Sequence, residues 1–258
     1  ATLMTKGVNP WTAVVITYLA SMVIGLLNGK LISKAKIPAF IATLGTMTIA
    51  RGIAQIVNNN YNTDSIGEAA EGFMNFFYYG KTLGLFNTIW ITMVIWLIFN
   101  FLLSRTRTGR HLYAVGSNAH AAHLSGVNIS ATITKAYLVS AFCSATVGLI
   151  TTATSGMGTM DAGNGYELYA VAASVIGGVS TLGGQGILLG TVIGASIWGV
   201  LQNGLQFAGA PVAIRNIVIG IIVIITVLLD ILVRFNKKAG KVKAGAEKRH
   251  LPVLKHKF

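Results

Sequence analysis

The sequence predicts an all-α membrane protein, a polytopic helix bundle with about seven membrane segments, one of them short or broken, and a further helix at the cytoplasmic surface. The first observation behind this prediction is composition: the 258-residue chain is 53% hydrophobic and only 10% charged, whereas soluble domains carry about 25% charged residues. Mean hydropathy is correspondingly high, at +0.66. The other two observations are a series of long apolar runs and an uneven distribution of basic residues between the loops.

Seven runs are apolar enough to enter a bilayer. They cover approximately residues 11–27, 37–57, 85–103, 133–153, 168–179, 187–205 and 214–233. Because a helix rises about 1.5 Å per residue, roughly 20 residues are needed to cross a hydrocarbon layer of about 30 Å. Six runs approach this length. The fifth run is too short, and we expect it to form a half-span or a helix inside the bundle.

The charges predict the orientation of these segments. If the loop at 28–36 is cytoplasmic, strict alternation places 16 of the 20 lysines and arginines on the cytoplasmic side, as the positive-inside rule requires. We therefore predict one transmembrane domain at 1–234, an outer loop at 58–87 and a basic cytoplasmic tail at 235–258. Topology also explains the net charge of +13, so no nucleic-acid partner is expected.

The segment 109–127, GRHLYAVGSNAHAAHLSGV, differs from every other loop. It is too polar to span a membrane and too apolar for a free loop, so we predict a surface helix that docks onto a partner. His120 and His123 have a spacing that a metal ion could use, but no cysteine or carboxylate is near them in the sequence. A solvated helix face explains them better, and no metal site is predicted.

Catalytic and ATP-binding chemistry is missing from the sequence. Arg51 and Arg215 fall close to the outer ends of their runs, where long basic side chains reach the membrane surface. Gly80, Lys81 and Thr82 resemble the end of a P-loop, but the first glycine of that motif would fall at Asn75. We therefore expect a transport protein that is not an enzyme and holds no cofactor itself.

Uncharged polar residues remain as candidates for a translocation path, because amides and phenols exchange hydrogen bonds with hydroxylated solutes. Hydrogen bonding between helices explains each of them equally well. The uncharged candidates are Gln55, Asn164, Tyr166, Gln202, Asn203 and Gln206. One acid, Glu167, is added to them and is expected near the outer membrane surface.

Glycine and aromatic residues mark two further features. Gly186, Gly190 and Gly194 recur at intervals of four, which predicts one small-residue helix face for close helix packing. The glycine-rich connection 177–186 is either a moving part of a transporter or a surface turn. Five aromatic residues in the outer loop, which predict an interfacial belt or a vestibule lining, are Phe73, Phe76, Phe77, Tyr78 and Tyr79.

Three ordered segments, IPAFIATLG at 37–45, TGRHLYAVGSNAHAAHLSGVNI at 108–129 and GNGYELYAVAASVIGGVSTLGGQG at 163–186, resemble permease subunits of ribose-type sugar ABC importers, the binding-protein-dependent transport inner membrane component family. The resemblance covers nearly the whole chain. It implies a type II importer-like fold with about ten spans, of which the N-terminal ones, including a GIDLS-type motif, have no counterpart before Ala1. The sequence is therefore expected to be a fragment or to begin late.

The same resemblance implies a complex in a prokaryotic inner membrane, surrounded by lipid and with the C-terminus in the cytoplasm. It would contain two permease copies, ATP-binding cassette subunits that hold ATP and Mg²⁺, and an extracytoplasmic sugar-binding protein. By position, coupling to the ATPase falls on Tyr113, Ala114, Gly116, Asn118, Ala121, Ala122, Leu124, Ser125 and Gly126.

The expected solute is a monosaccharide, a ribose-like pentose or a hexose, and three alternatives stay open. A permease of the same superfamily could carry nucleosides or branched-chain amino acids. An ATP-independent carrier or channel would need a charged relay or an ion site. A truncated, inactive scaffold subunit is the third. The sequence leaves open which sugar is carried and whether the two permease chains are identical.

Overall fold

The structure, a computed structural model, describes residues 1–67 and 70–249. Glu68 in the outer loop and residues 250–258 of the predicted basic tail lie outside the described residues. The tail side chains from 235 to 249 lie outside them as well, although α-helix continues through the backbone to Arg249.

The described part is built almost entirely of α-helix. The helices are α1 (Thr2–Thr5), α2 (Pro10–Ser33), α3 (Ala39–Val57), α4 (Glu71–Met74), α5 (Asn87–Arg105), α6 (Arg107–Ser117), α7 (Ala119–Leu124), α8 (Ile129–Ser155), α9 (Tyr166–Ile176), α10 (Leu188–Phe207) and α11 (Val212–Arg249). A π-helical turn, Asn75–Tyr79, and two short strands, β1 (Lys81–Thr82) and β2 (Leu85–Phe86), lie between α4 and α5.

Among the residues that the structure describes, six helices are long and apolar enough to cross a membrane: α2, α3, α5, α8, α10 and the part of α11 from Val212 to Leu232. The predicted all-α, multi-pass fold is confirmed. The short fifth run is confirmed too, because α9 has only 11 residues and at about 1.5 Å per residue covers roughly half of the hydrocarbon layer. The predicted outer loop adds two elements that the sequence did not predict, the π-helical turn and the hairpin.

The prediction that the aromatic residues of the outer loop form an interfacial belt or line a vestibule is wrong for Phe73 and Phe77. These two rings are 1% and 4% exposed, and they form a buried core with residues such as Ala13 of α2 and Leu149 of α8. Phe76, by contrast, is half exposed. The difference arises because α4 and the π-helical turn fold back onto α8.

The described chain forms two compact units, one that ends at Asn164 and one that begins at Gly165, and each is treated by itself. The first unit is organised around the antiparallel pair of α2 and α8. A Cβ added at Gly25 would lie 2.6 Å from the Cβ of Ala141, so the two helices touch at this level without room for a side chain. Such close approach at small residues is typical of helix pairs in membranes.

Hydroxyl groups hold the same pair in register along its length. Tyr18 and Thr146 are joined by an oxygen to oxygen hydrogen bond of 3.0 Å, and the Ser21 hydroxyl donates to the Ala141 carbonyl at 2.8 Å. At the other end, the hydroxyls of Ser33 and Ser130 lie 2.8 Å apart. The α2–α8 register is therefore fixed from the level of Tyr18, in the middle part of α2, to the end of α2 at Ser33.

The second unit is organised around α9 and α10, which approach each other through glycine. A Cβ at Gly194 would overlap the carbonyl oxygen of Ala173, and a Cβ at Gly190 would overlap the carbonyl oxygen of Gly177. The predicted glycine ridge is wrong for Gly186, because α10 begins only at Leu188. Gly186 lies in the preceding loop at φ 150°, close to Val179.

Candidate functional site

The segment between α5 and α8 contains two short helices, α6 and α7, where the sequence predicted one. Polar side chains begin three consecutive helices by accepting a hydrogen bond from a free backbone N–H, as N-cap residues do. The Thr106 hydroxyl accepts from Gly109 at 3.4 Å, Asn118 accepts from Ala121 at 3.0 Å, and Asn128 accepts from Ala131 at 2.9 Å. The segment is therefore an ordered surface element divided at Asn118.

Gly109 allows the chain to turn sharply between α5 and α6. It is buried, and a Cβ there would overlap the backbone of Leu103. The turn brings α6 and α7 against the beginning of α8. Of the nine residues that the resemblance places in the coupling segment, seven are exposed: Ala114, Gly116, Asn118, Ala121, Leu124, Ser125 and Gly126.

Two of the nine residues differ from that pattern. Tyr113 is partly buried, and Ala122 is 5% exposed. The expectation that Ala122 touches a partner is corrected, because its methyl group is enclosed by this chain and leaves no surface for contact. Leu124 is the opposite case: it lies at the last position of α7 and is 76% exposed. An apolar side chain so exposed between small residues is the clearest docking feature of this segment.

His111, His120 and His123 are exposed on α6 and α7. Among the residues that the structure describes, no group of three histidine, cysteine or acidic side chains is placed to hold a metal ion.

The candidate path residues fall into two groups, one in each unit. In the first unit, the Arg51 guanidinium donates a hydrogen bond of 3.1 Å to the Asn164 side-chain oxygen. Arg51 and Gln55 line a cavity of about 300 Å³ together with residues such as Asn58 and Thr159, a volume at the lower end of small-molecule sites. The structure thus brings Gln55 and Asn164 to one polar region through Arg51, a residue whose place in the sequence predicts only that it reaches a membrane surface.

In the second unit, Tyr166 and Glu167 lie in the first turn of α9, and Gln202, Asn203 and Gln206 lie in the last third of α10. Tyr166, Glu167, Asn203 and Gln206 are exposed, whereas Gln202 is partly buried. The Tyr166 ring lies 5.8 Å from that of Tyr169, and the Tyr169 ring lies 5.5 Å from that of Trp198. Aromatic surface and polar groups therefore occur together near the beginning of α9.

Sequence reasoning missed three residues of the second unit: Trp198, Arg215 and Asp230. In the sequence, Trp198 is one of many apolar residues in its run, so nothing distinguishes its indole. Arg215 lies near the end of its run, and that position is enough to explain a basic residue there. Asp230 precedes Arg234 by four residues, a spacing at which an acid and a base can pair on a helix, but the Arg234 side chain lies outside the described residues. In the structure, Asp230 accepts two hydrogen bonds from Thr181, from its backbone N–H at 3.2 Å and from its hydroxyl at 2.9 Å.

This contact fixes the glycine-rich connection between α9 and α10 to α11, and it leads to a prediction. Asp230→Ala removes the carboxylate oxygen that accepts both hydrogen bonds and is expected to lower the free energy of unfolding by about 1 kcal/mol, because hydrogen bonds at exposed positions contribute at the lower end of the usual range. Asp230→Asn keeps one side-chain oxygen and should lose less. Thermal unfolding of the detergent-solubilised protein measures the order; equal stability of the alanine variant and the wild type would contradict the assignment.

These features together define a class of protein. Six helices able to cross a membrane, a short seventh apolar helix, polar groups within the helical units and an ordered segment between two spans are the parts of a multi-pass membrane permease.

Comparison with known proteins identifies the family. The model of the family described as "Branched-chain amino acid transport system / permease component" matches residues 1–227. The chain belongs to this family of transport permeases, and it is a transport protein rather than an enzyme.

Curated relatives are consistent with this membership. The chain is 34% identical to the ribose import permease of Escherichia coli (strain K12) over 223 residues, 86% of this chain and 70% of the relative. It is 34% identical to the D-allose transport system permease of the same organism over 234 residues, 90% and 71% of the two chains. It is 35% identical to the galactose/methyl galactoside import permease of the same organism over 223 residues, which is 84% of this chain and 65% of the relative. The resemblance to ribose-type sugar permeases is confirmed. No solved structure matches the chain.

Proposed function

We propose that this chain is the membrane subunit of an ATP-driven importer and forms the path for a monosaccharide, a ribose-like pentose or a hexose. The observation that carries the proposal is the similarity to three permeases whose names specify ribose, D-allose and galactose, at 34% to 35% identity over more than four fifths of this chain. The solutes of all three are monosaccharides, so the shared chemistry is that of a small ring bearing several hydroxyl groups.

The ATP-binding cassette subunit would dock onto the segment from Arg107 to Gly126 and hold ATP and Mg²⁺ itself. Support comes from the exposure of small residues such as Gly116 and Ala121, which permit close contact, and from the exposed side chain of Leu124. A residue of this kind fits the usual anchor of an interface, an apolar side chain that enters a pocket on the partner. The connection from α7 to α8 is short, so movement of the docked subunit would reach the membrane helices directly.

The rest of the complex follows from the same proposal. A second permease copy, identical or related, completes the path, and a sugar-binding protein delivers the solute from outside the cell. The complex lies in the inner membrane of a prokaryote, with α6, α7 and the C-terminus in the cytoplasm. The distribution of basic residues supports this orientation, because six lysines and arginines lie at the ends of α2 and α5 or in the segments that follow them: Lys30, Lys34, Lys36, Arg105, Arg107 and Arg110.

A second candidate solute is a branched-chain amino acid. The description of the family model favours it, and the same ATP-driven machinery would serve. The two candidates differ in chemistry, because an amino acid carries a carboxylate and an ammonium group whereas a monosaccharide carries neutral hydroxyls.

Transport by the reconstituted importer tests the proposal. Vesicles containing the permease, its ATP-binding subunit and its binding protein should accumulate D-ribose, D-allose or D-galactose only when ATP is enclosed with the subunit and the binding protein is outside. Uptake that persists without ATP would indicate a carrier or channel and contradict the proposal. Accumulation of leucine in place of every sugar would replace the proposed solute class by the second candidate.

A further inference from the structure

Three buried side-chain nitrogens in the described part of the chain have no hydrogen-bond partner: Nε1 of Trp198, Nε2 of Gln202 and Nε of Arg215. All three belong to the second unit, and Trp198 as a whole is only 7% exposed. A buried donor without an acceptor is costly, and three in a unit of this size call for an acceptor-bearing group that the described chain does not supply.

The three donors lie in one layer of the unit. Gln202 follows Trp198 by four residues, so the two side chains share a face of α10, one turn apart. Trp198 packs in a buried cluster with Ile219 of α11, and Arg215 precedes Ile219 by four residues on the same face. Because only residues 208–211 join α10 to α11, the two helices run in opposite directions. Gln202 and Arg215 therefore both lie one turn beyond the cluster, on the same side.

Helix α9 begins in this layer. Close approaches pair Gly177 with Gly190 and Ala173 with Gly194, and the ring contact pairs Tyr169 with Trp198. From one pair to the next, the residue number falls by four in α9 and rises by four in α10. Continued by one step, this register places Tyr166 within one residue of the level of Gln202.

The layer lies more than one helical turn before the end of α10. Since α10 extends five residues beyond Gln202, to Phe207, the first turn of α9 begins about 8 Å inside the end of α10. Glu167 belongs to this first turn, and its place near the outer membrane surface stays a prediction.

We propose that this layer is a weak binding site for the ring of a monosaccharide on its way through the membrane, an inference that rests on the proposed function. Hydroxyl oxygens of the solute accept hydrogen bonds from Trp198, Gln202 and Arg215. The ring of Tyr166 provides an apolar face for the C–H side of the sugar. Hydroxyl groups fit because each both donates and accepts, and a site of mostly aromatic surface with a few polar groups is typical of small-molecule binding.

The fluorescence of Trp198 tests the site directly. In the full importer complex, Trp11, Trp90 and Trp96 are replaced by phenylalanine, and the permease is titrated with D-ribose, D-allose and D-galactose without binding protein. We expect the Trp198 emission to change with half-saturation at about 1 mM or above, as suits a passage site. Gln202→Leu should weaken the response.

Uptake by the same complex provides the second readout. Gln202→Leu should reduce sugar uptake about fivefold, the effect of one lost hydrogen bond. The control is Asn216→Leu, which replaces an exposed amide next to Arg215 and should transport at the wild-type rate.

The outcomes separate this inference from the proposed function. If the Trp198 emission does not change with any of the three sugars, the inference is overturned, even if the importer takes up sugar in an ATP-dependent way. The same holds if Gln202→Leu and Asn216→Leu transport equally, or if leucine alone changes the emission. Absence of ATP-dependent sugar uptake by the wild-type importer, in contrast, would overturn the proposed function.

Discussion

Replacing Gly194 by alanine is expected to separate α9 from α10 and to abolish transport. The added Cβ would overlap the carbonyl oxygen of Ala173 and lie 2.6 Å from the backbone nitrogen of Gly177. Both neighbours are backbone atoms, which move only if the helices move. Overpacking of a close contact costs typically 1–3 kcal/mol, and we expect a loss of about 3 kcal/mol in the free energy of unfolding, since no side chain is present that could rotate away.

The same helix supplies a matched control for this substitution. A Cβ added at Gly199 has no atom within 4 Å, so Gly199→Ala should preserve stability and transport while raising helix propensity equally. Thermal unfolding in detergent and uptake by the reconstituted importer measure both variants. If Gly194→Ala is as stable and active as Gly199→Ala, α9 and α10 do not pack as described.

Replacing Leu124 by aspartate is expected to uncouple the permease from its ATP-binding subunit while leaving the permease folded. Leu124 is 76% exposed, so the substitution disturbs no internal packing, whereas a charge in an apolar pocket of the partner would be desolvated without compensation. Loss of an interface anchor typically costs about 2 kcal/mol or more, which corresponds to roughly 30-fold weaker association.

Co-purification and binding-protein-stimulated ATP hydrolysis measure this effect. Leu83→Asp is the control, because Leu83 is 86% exposed in the turn between β1 and β2. Leu83 lies before α5 in the chain and Leu124 lies after it. Because α5 crosses the membrane once, the two leucines are on opposite sides of the membrane. Wild-type ATPase association of Leu124→Asp, or equal loss in both variants, would refute the docking role of α7.

The number and lengths of the membrane helices could be predicted because a bilayer imposes them. The backbone must satisfy its hydrogen bonds internally in lipid, so a run of about 20 apolar residues becomes a helix with little regard to its neighbours. Even the 11-residue α9 followed from this constraint, since the run was too short to span.

Features set by contacts between distant residues could not be predicted in the same way. Spacing alone placed Gly186 on a helix, although its φ of 150° excludes it from α10. Asn118 and Asn128 carried a signal that could have divided the 109–127 segment, because asparagine commonly begins helices, but burial of Ala122 depends on how α7 meets the rest of the unit. The layer at Trp198 and Arg215 becomes visible only when the donors left without partners are known.

The hydroxyl pairs between α2 and α8 have a mechanical consequence. Three hydrogen bonds, at Tyr18, Ser21 and Ser33, resist sliding of α2 along α8. The two helices are therefore expected to move together as one rigid body. The surface segment joins this helix pair at Asn128, the N-cap residue of α8. A force on the segment from a docked partner therefore acts at one end of the pair. A tilt of this end is therefore expected to reach the level of Tyr18, because the hydrogen bonds join the two helices over that length.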